Sequence, residues 1–538
     1  MSRTLVLPAL LALLAPTGHA QEDAARLIPA KASVLVRLDS LDALLDLVHA
    51  FAPIAGEPVS SLDATGLLGG MQFPLDPAVV DGARPLFLAL SIDPAAPQPG
   101  LTWVVPVRTG ATPGASSSGT PVVTAGGYAG TSNLAGYAAA ASPSPLAAKL
   151  QRGLVSVHVD LAALLAVYGP LVDMGLKQAE ANIDTQSDAS PLDMTPLLEG
   201  YFSGLRAFLA SAESLDLGVE RRGDELAFVG GFTARAGSAL DGWEAPQRAD
   251  LAALAGHLEP DGAALMVAAF DWTSLLARFG GFIDAAVQIY PEPLRSDLQL
   301  VIAGQKKVMA LLEPGIALRA NFGQDGVEAA YLLRSKHPAE LVTAVEEALS
   351  PFVREQGFVR LSAPTRSTVD GLAVRSWDVV IDWQAALSTL PDVDATDEVD
   401  LERMQGMLET VYGQNLRIAL VTSGETALFA IGQDDAAIQA AAQRLHSPAA
   451  LAPAVARLIE RSGGGTPSFA YRLDFGPAMR QMMTAMEPLM PEPIPWPDVP
   501  FGVDVWGSIR GPTWSGGTGV DLAELLRFVQ AVQALETK

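Results

Sequence analysis

The sequence predicts an α+β fold of tandem β-α-β-β-α units, with strands merging into antiparallel or mixed sheets and helices packed on one face. Three observations predict it. A short alternating strand that ends in Asp and runs into an apolar helical pattern occurs five times: Ser33 to Leu44, Leu154 to Leu165, Leu265 to Leu276, Ser376 to Leu387 and Ser468 to Met479. Each is followed by paired apolar runs around a Gly-containing turn, a hairpin signal. A further helical pattern then closes the unit, as at Pro338 to Leu349, Asp434 to Leu445 and Asp521 to Leu535.

The Asp residues are Asp39, Asp160, Asp271, Asp382 and Asp474, and the middle two intervals are each 111 residues. Counting five residues on from each Asp gives Leu44, Leu165, Leu276, Leu387 and Met479, so the register holds on the helical side as well. A carboxylate in that position accepts the orphan N–H groups of a helix start and suits the positive end of its dipole, which makes all five N-cap candidates.

Taken in order, residues 1–20 read as a secretory signal: Arg3, an apolar stretch from Leu5 to Ala15, and a small-x-small site before Gln21. Units are expected at 21–150, 151–255, 256–355, 356–462 and, shortened, 463–538. The first carries a hairpin at Leu86 to Ile92 and Leu101 to Arg108, then a Gly/Ser/Pro/Thr stretch at 109–120 that reads as a flexible loop. Hairpins follow at Leu215 to Phe232, Gly315 to Leu333, Leu416 to Ile431 and Gly502 to Val520. Pro488 to Pro500, with Trp496 in its middle, reads as a stiff extended connector that offers an aromatic side chain to a partner.

Composition narrows the function classes. With 538 residues, 49% hydrophobic, and a mean hydropathy of +0.27, the chain has ample material for a core. No run reaches the ~18 uninterrupted apolar residues of a membrane-spanning helix, so no transmembrane anchor is expected. The net charge of −25, with no Lys/Arg cluster, argues against nucleic acid and anionic lipid surfaces as partners. The absence of Cys removes lipidated Cys, disulfides and thiolate metal sites, so a lipoprotein is not expected.

No catalytic motif stands out. Ala115-Ser116-Ser117-Ser118-Gly119 has the spacing of a nucleophile elbow but lacks the strand before and the helix after. His158 and Asp160 share a strand face and have the geometry of a base and its orienter, with no nucleophile candidate beside them. The acidic loop 392–402 resembles a calcium loop but places Asp397 where Gly is needed and Arg403 where a bidentate Glu is needed. Met479, Met482, Met483, Met486 and Met490 fall at helical spacing in the stretch 479–490, which fits a core stripe, an adaptable apolar groove or a thioether site for Cu(I). Gly463-Gly464-Gly465 precedes a strand, the wrong order for cradling phosphate. No catalytic, cofactor-binding or metal-ligating residue is therefore assigned, and no cofactor is expected.

The start Leu27-Ile28-Pro29-Ala30-Lys31-Ala32-Ser33-Val34-Leu35-Val36-Arg37, echoed by Leu258-Glu259-Pro260-Asp261-Gly262-Ala263, resembles a recurrent opening in uncharacterised exported bacterial proteins, of the domain-of-unknown-function type. The resemblance implies export to the periplasm or beyond and a tandem architecture, with no activity attached. The expectation is a non-enzymatic binding or scaffold protein of the cell envelope. The alternative is a carrier of an apolar ligand or lipid in a groove between helices and sheet, so the partner is an unknown protein or an apolar small molecule.

Overall fold

The computed structural model describes residues 16–536, apart from single positions and short stretches, chiefly 56–62, 188–194, 242–250, 388–401, 410–415, 462–467 and 487–495. The chain divides into two units: Met1–Asp173 with Ser211–Ser238, and Met174–Ala210 with Ala239–Lys538.

In chain order, the first stretch has helix α1 (Pro16–Leu27), β1 (Val34–Leu38), α2 (Leu41–Ala55), α3 (Ala64–Gly70), β2 (Leu86–Ser91), β3 (Gly100–Pro106), β4 (Val122–Ala125), β5 (Tyr128–Ser132) and β6 (Val155–Asp160). Two helices, α4 (Leu161–Ser187) and α5 (Thr195–Ser211), lead to β7 (Ala212–Arg222) and β8 (Glu225–Ala234). The strands of the first unit lie in the order β4-β5-β3-β2-β1-β6-β7-β8.

Both faces of that sheet are covered. Leu35 points into a core with Ala24, Ala25 and Leu27 of α1, Phe87 and Val104. Leu38, three residues on and so on the opposite face, joins Leu41 of α2, Leu68 of α3, Trp103 and Val105. Helix α1 crosses the position near Gln21 where cleavage is expected, and its last turns are core.

The second unit adds α6 (Leu251–Ala255), β9 (Ala264–Ala268), α7 (Trp272–Gln288), α8 (Leu294–Met309), β10 (Ile316–Gly323), β11 (Gly326–Arg334), α9 (Pro338–Leu349), β12 (Val359–Leu361), β13 (Thr365–Val369) and β14 (Leu372–Ile381). It continues with α10 (Trp383–Leu387), β15 (Leu416–Ser423), β16 (Thr426–Ile431), α11 (Asp435–His446), α12 (Pro453–Arg461), β17 (Phe469–Asp474), α13 (Phe475–Met486), β18 (Gly502–Arg510), β19 (Thr513–Asp521) and α14 (Leu522–Glu536). The order runs β14-β15-β16-β11-β10-β9-β17-β18-β19, with β12 and β13 sharing the outer edge of β14.

The expected fold class needs correction. Among the described residues every pairing within either unit is antiparallel, so no mixed sheet forms, and the nineteen strands make the arrangement sheet-rich. Helices do not keep to one face, as Leu35 and Leu38 demonstrate. The physical reason is that β1 carries apolar residues on both sides of its pleat, so each side needs its own cover.

Each of the five Asp-ended strands opens a three-stranded antiparallel meander: β1-β2-β3, β6-β7-β8, β9-β10-β11, β14-β15-β16 and β17-β18-β19. Two seams join first strands directly. In one, Val36 pairs with Val157, each three residues before its Asp; in the other, Val267 pairs with Ala470, each four before.

Candidate functional site

One feature with room for a ligand is a cavity of about 470 Å³ in the second unit, between helices α8 and α9 and the sheet. Its floor is one face of three strands. Tyr331 lies opposite Phe429 and Leu333 opposite Ala427 across β11 and β16, while Leu420 of β15 pairs with Phe429 from the other side. Alternation puts these side chains on the same face.

The roof comes from helical spacing. Leu341, Val345 and Leu349 form one stripe of α9, and Val301, Gln305 and Val308 form one of α8. The two helices touch each other closely. A Cβ on Gly304 would sit 2.6 Å from that of Ala348, so glycine is required for the approach. Arg354, just past α9, grips Asp297 of α8 with both terminal nitrogens, one at 3.0 Å, and Lys306 of α8 reaches Asp284 of α7 at 2.8 Å. Part of the roof meets the floor, since Leu341, Val345 and Phe352 pack in one core cluster with Leu420 and Ala427.

Trp272, Met309, Leu312, Ile316, Phe352 and Ile431 complete the sides with Ala348. The polar residues of the lining are Gln305, Tyr331 and Trp272; among the described residues no charged side chain lines the cavity. That volume and chemistry fit the general pattern of small-molecule pockets, roughly 300–1,000 Å³, apolar, with few polar groups. Among the described residues the titratable group in the lining is the Tyr331 phenol, and what the arrangement chiefly offers is apolar burial.

The residues singled out by sequence lie elsewhere. His158 is buried and its Nδ1 lies 2.7 Å from Oδ1 of Asp216, its register partner on β7, whereas Asp160 is occupied in accepting the Ala163 N–H at 2.8 Å. The expected partner is therefore wrong, because the helix start claims Asp160. Four of the five Asp residues cap as expected: Asp160, Asp271, Asp382 and Asp474 accept from Ala163, Thr273, Ala385 and Gly476. The exception is Asp39. Ser40 Oγ accepts the Ala43 N–H instead, and Asp39 pairs with the buried Arg37. Asp521, accepting the Glu524 N–H at 3.0 Å, forms a further strand-Asp-helix junction at the start of α14.

The stretch 109–120 is tied down by hydroxyls. Ser116 and Ser118 oxygens are 2.7 Å apart, Thr120 donates to Ser116 at 3.1 Å, and Thr120 meets Thr131 of β5 at 2.6 Å. Trp496 does not stand out for a partner: its ring lies against Phe528 of α14, centroids 5.4 Å apart, and Phe528 stacks on Phe501. Met479 and Met483 are half-buried on α13; Met482 and Met486 within the helix, and Met490 beyond it, have side chains outside the described residues. The acidic loop 392–402 also lies outside them, except Glu402. Among the described residues no group of three or more His, Asp or Glu converges as a metal site, and no helix is long and apolar enough to cross a membrane.

No family model and no curated protein matches the chain. Among solved structures, crystal form III of TP0453 aligns at 9% identity over 51% of this chain and 96% of that one, with a TM-score of 0.24. Crystal form I aligns at 8% identity over 54% and 99%, and form IV at 9% over 53% and 99%, both again at 0.24. A likeness of that degree carries no argument about this chain.

Proposed function

We propose that this is an exported protein that acts by binding, and that it takes one apolar ligand into the cavity beneath α8 and α9. The observation that carries the reading is the cavity itself: about 470 Å³, partly open and lined by aliphatic and aromatic side chains, with no charged group among the described lining residues. Burial of an apolar chain there contributes about 0.8 kcal/mol per methylene. The carrier reading is thus favoured over the scaffold reading. What supports a scaffold is a smaller feature, the exposed Leu217 and Phe228 on one face of β7 and β8 in the first unit.

Native mass spectrometry of the protein purified from its own host tests the two. A copurifying lipid or hydrophobic metabolite, lost from Ala427→Phe while thermal melting shows that variant folded, is the expected result. A bare chain that also fails to take up a fluorescent fatty-acid probe would overturn the carrier reading, and a defined protein complex would favour the scaffold.

A further inference from the structure

Beside the cavity two guanidinium groups share one carboxylate. Arg375 of β14 is the register partner of Leu420, so it stands on the cavity face next to a floor residue. Its Nε donates to Oε1 of Glu346 at 3.0 Å, and Glu346 sits on α9 directly after the roof residue Val345. Arg366 of the edge strand β13 lies directly opposite Arg375, and its Nη2 is 3.7 Å from the other oxygen, Oε2, of the same Glu346.

Like charges directly opposite across an antiparallel pair are unfavourable. One carboxylate offsets one of the two positive charges and leaves the other, at an edge strand where the Arg366 side chain is 65% exposed and Arg375 24%. The surrounding chain is strongly acidic, at net −25, so a local cationic surplus runs against the whole. An apolar chamber with no charge in its lining and a surplus guanidinium at its edge is complementary to one shape of ligand: an apolar chain with an anionic end.

Resting on the reading of the cavity as a ligand site, we infer that the ligand is a free long-chain carboxylate, its chain under α8 and α9 and its carboxylate on Arg375 with Arg366 as second donor. With Nε on Glu346 and Nη1 on the Val374 carbonyl at 3.4 Å, Nη2 is the Arg375 donor that would take the ligand carboxylate. Glu346 then competes with the ligand, which gives the proposal an effect of opposite sign to loss of folding.

The test is titration of the full chain with palmitate and with methyl palmitate, read by displacement of a fluorescent probe. The expected result is tighter binding of the acid than of the ester, about tenfold weaker acid binding in Arg375→Gln with the ester unchanged, and stronger acid binding in Glu346→Gln. Equal binding of acid and ester with no response to either substitution overturns the carboxylate anchor and leaves the apolar cavity standing. Failure of both probes to bind overturns the cavity reading itself. Since a misfolded variant does not gain affinity, Glu346→Gln keeps the outcome decisive even if Arg375→Gln unfolds.

Discussion

Tyr331 and Phe429 face each other across β11 and β16 with ring centroids 6.4 Å apart and planes at 63°, an edge-to-face pair that forms the aromatic part of the cavity floor. Both rings are half-buried and both line the cavity. Edge-to-face geometry places the positive ring edge against the negative face and adds roughly 0.5–1.5 kcal/mol beyond area burial.

Phe429→Ala is accordingly expected to destabilise the second unit by roughly 2 kcal/mol, below the usual cost of removing a fully buried Phe. It also deepens the cavity. Urea unfolding measures the first effect, and probe binding the second: a larger fluorescent ligand is expected to bind Phe429→Ala better than the parent chain. A loss near 4 kcal/mol would mean that the floor is sealed core.

The helix starts predict a contrast between two adjacent residues. Asp160→Ala removes a cap and is expected to cost about 1 kcal/mol, as is Ser40→Ala. Asp39→Ala removes no cap bond but strips the buried Arg37 of its carboxylate, so a larger loss of roughly 2–3 kcal/mol is expected. Chemical denaturation of the three variants orders them; Asp39→Ala at or below Ser40→Ala would refute the assignment.

Alkaline pH is expected to weaken the first unit through Tyr137. Its hydroxyl donates to the Leu27 carbonyl at 2.7 Å, and burial pushes its pKa well above the ordinary 10.0. Burial likewise raises Tyr128, partly opposed by Arg84, and Tyr471. The folded state binds these protons more tightly than the unfolded one. Their stabilisation is therefore complete below about pH 10 and is lost as pH climbs from there through the raised folded values. Tyr137→Phe is expected to cost about 1 kcal/mol at neutral pH and to flatten part of the alkaline decline. An unchanged slope between pH 9 and 11 would count against it.

What could be read from sequence was local. A strand ending in Asp before an apolar helix carries its own chemistry, and four of the five helix starts obey it. Gly-centred hairpins were equally legible, with Gly424 adopting φ 57° between β15 and β16. Yet the same signal at Asp370-Gly371, with φ 46° and 82°, went unread, because the flanking Thr365–Val369 strand is polar. The covering of both sheet faces was hidden because VLVRL in β1 shows apolar residues on both sides without saying what meets them. The cavity was hidden for a related reason. It depends on Tyr331 meeting Phe429 and on α8 resting against α9 at Gly304, and neither relation follows from spacing along the chain.

The two seams between first strands, β1 with β6 and β9 with β17, are each centred on a pair of residues at the same distance from the following Asp, Val36 with Val157 and Val267 with Ala470. Such a match means that a local dyad passes through each seam, relating one meander to the next much as two subunits are related in an isologous dimer. The edge that a first strand offers is self-complementary, so each seam has the form of a homodimer interface fused into one polypeptide.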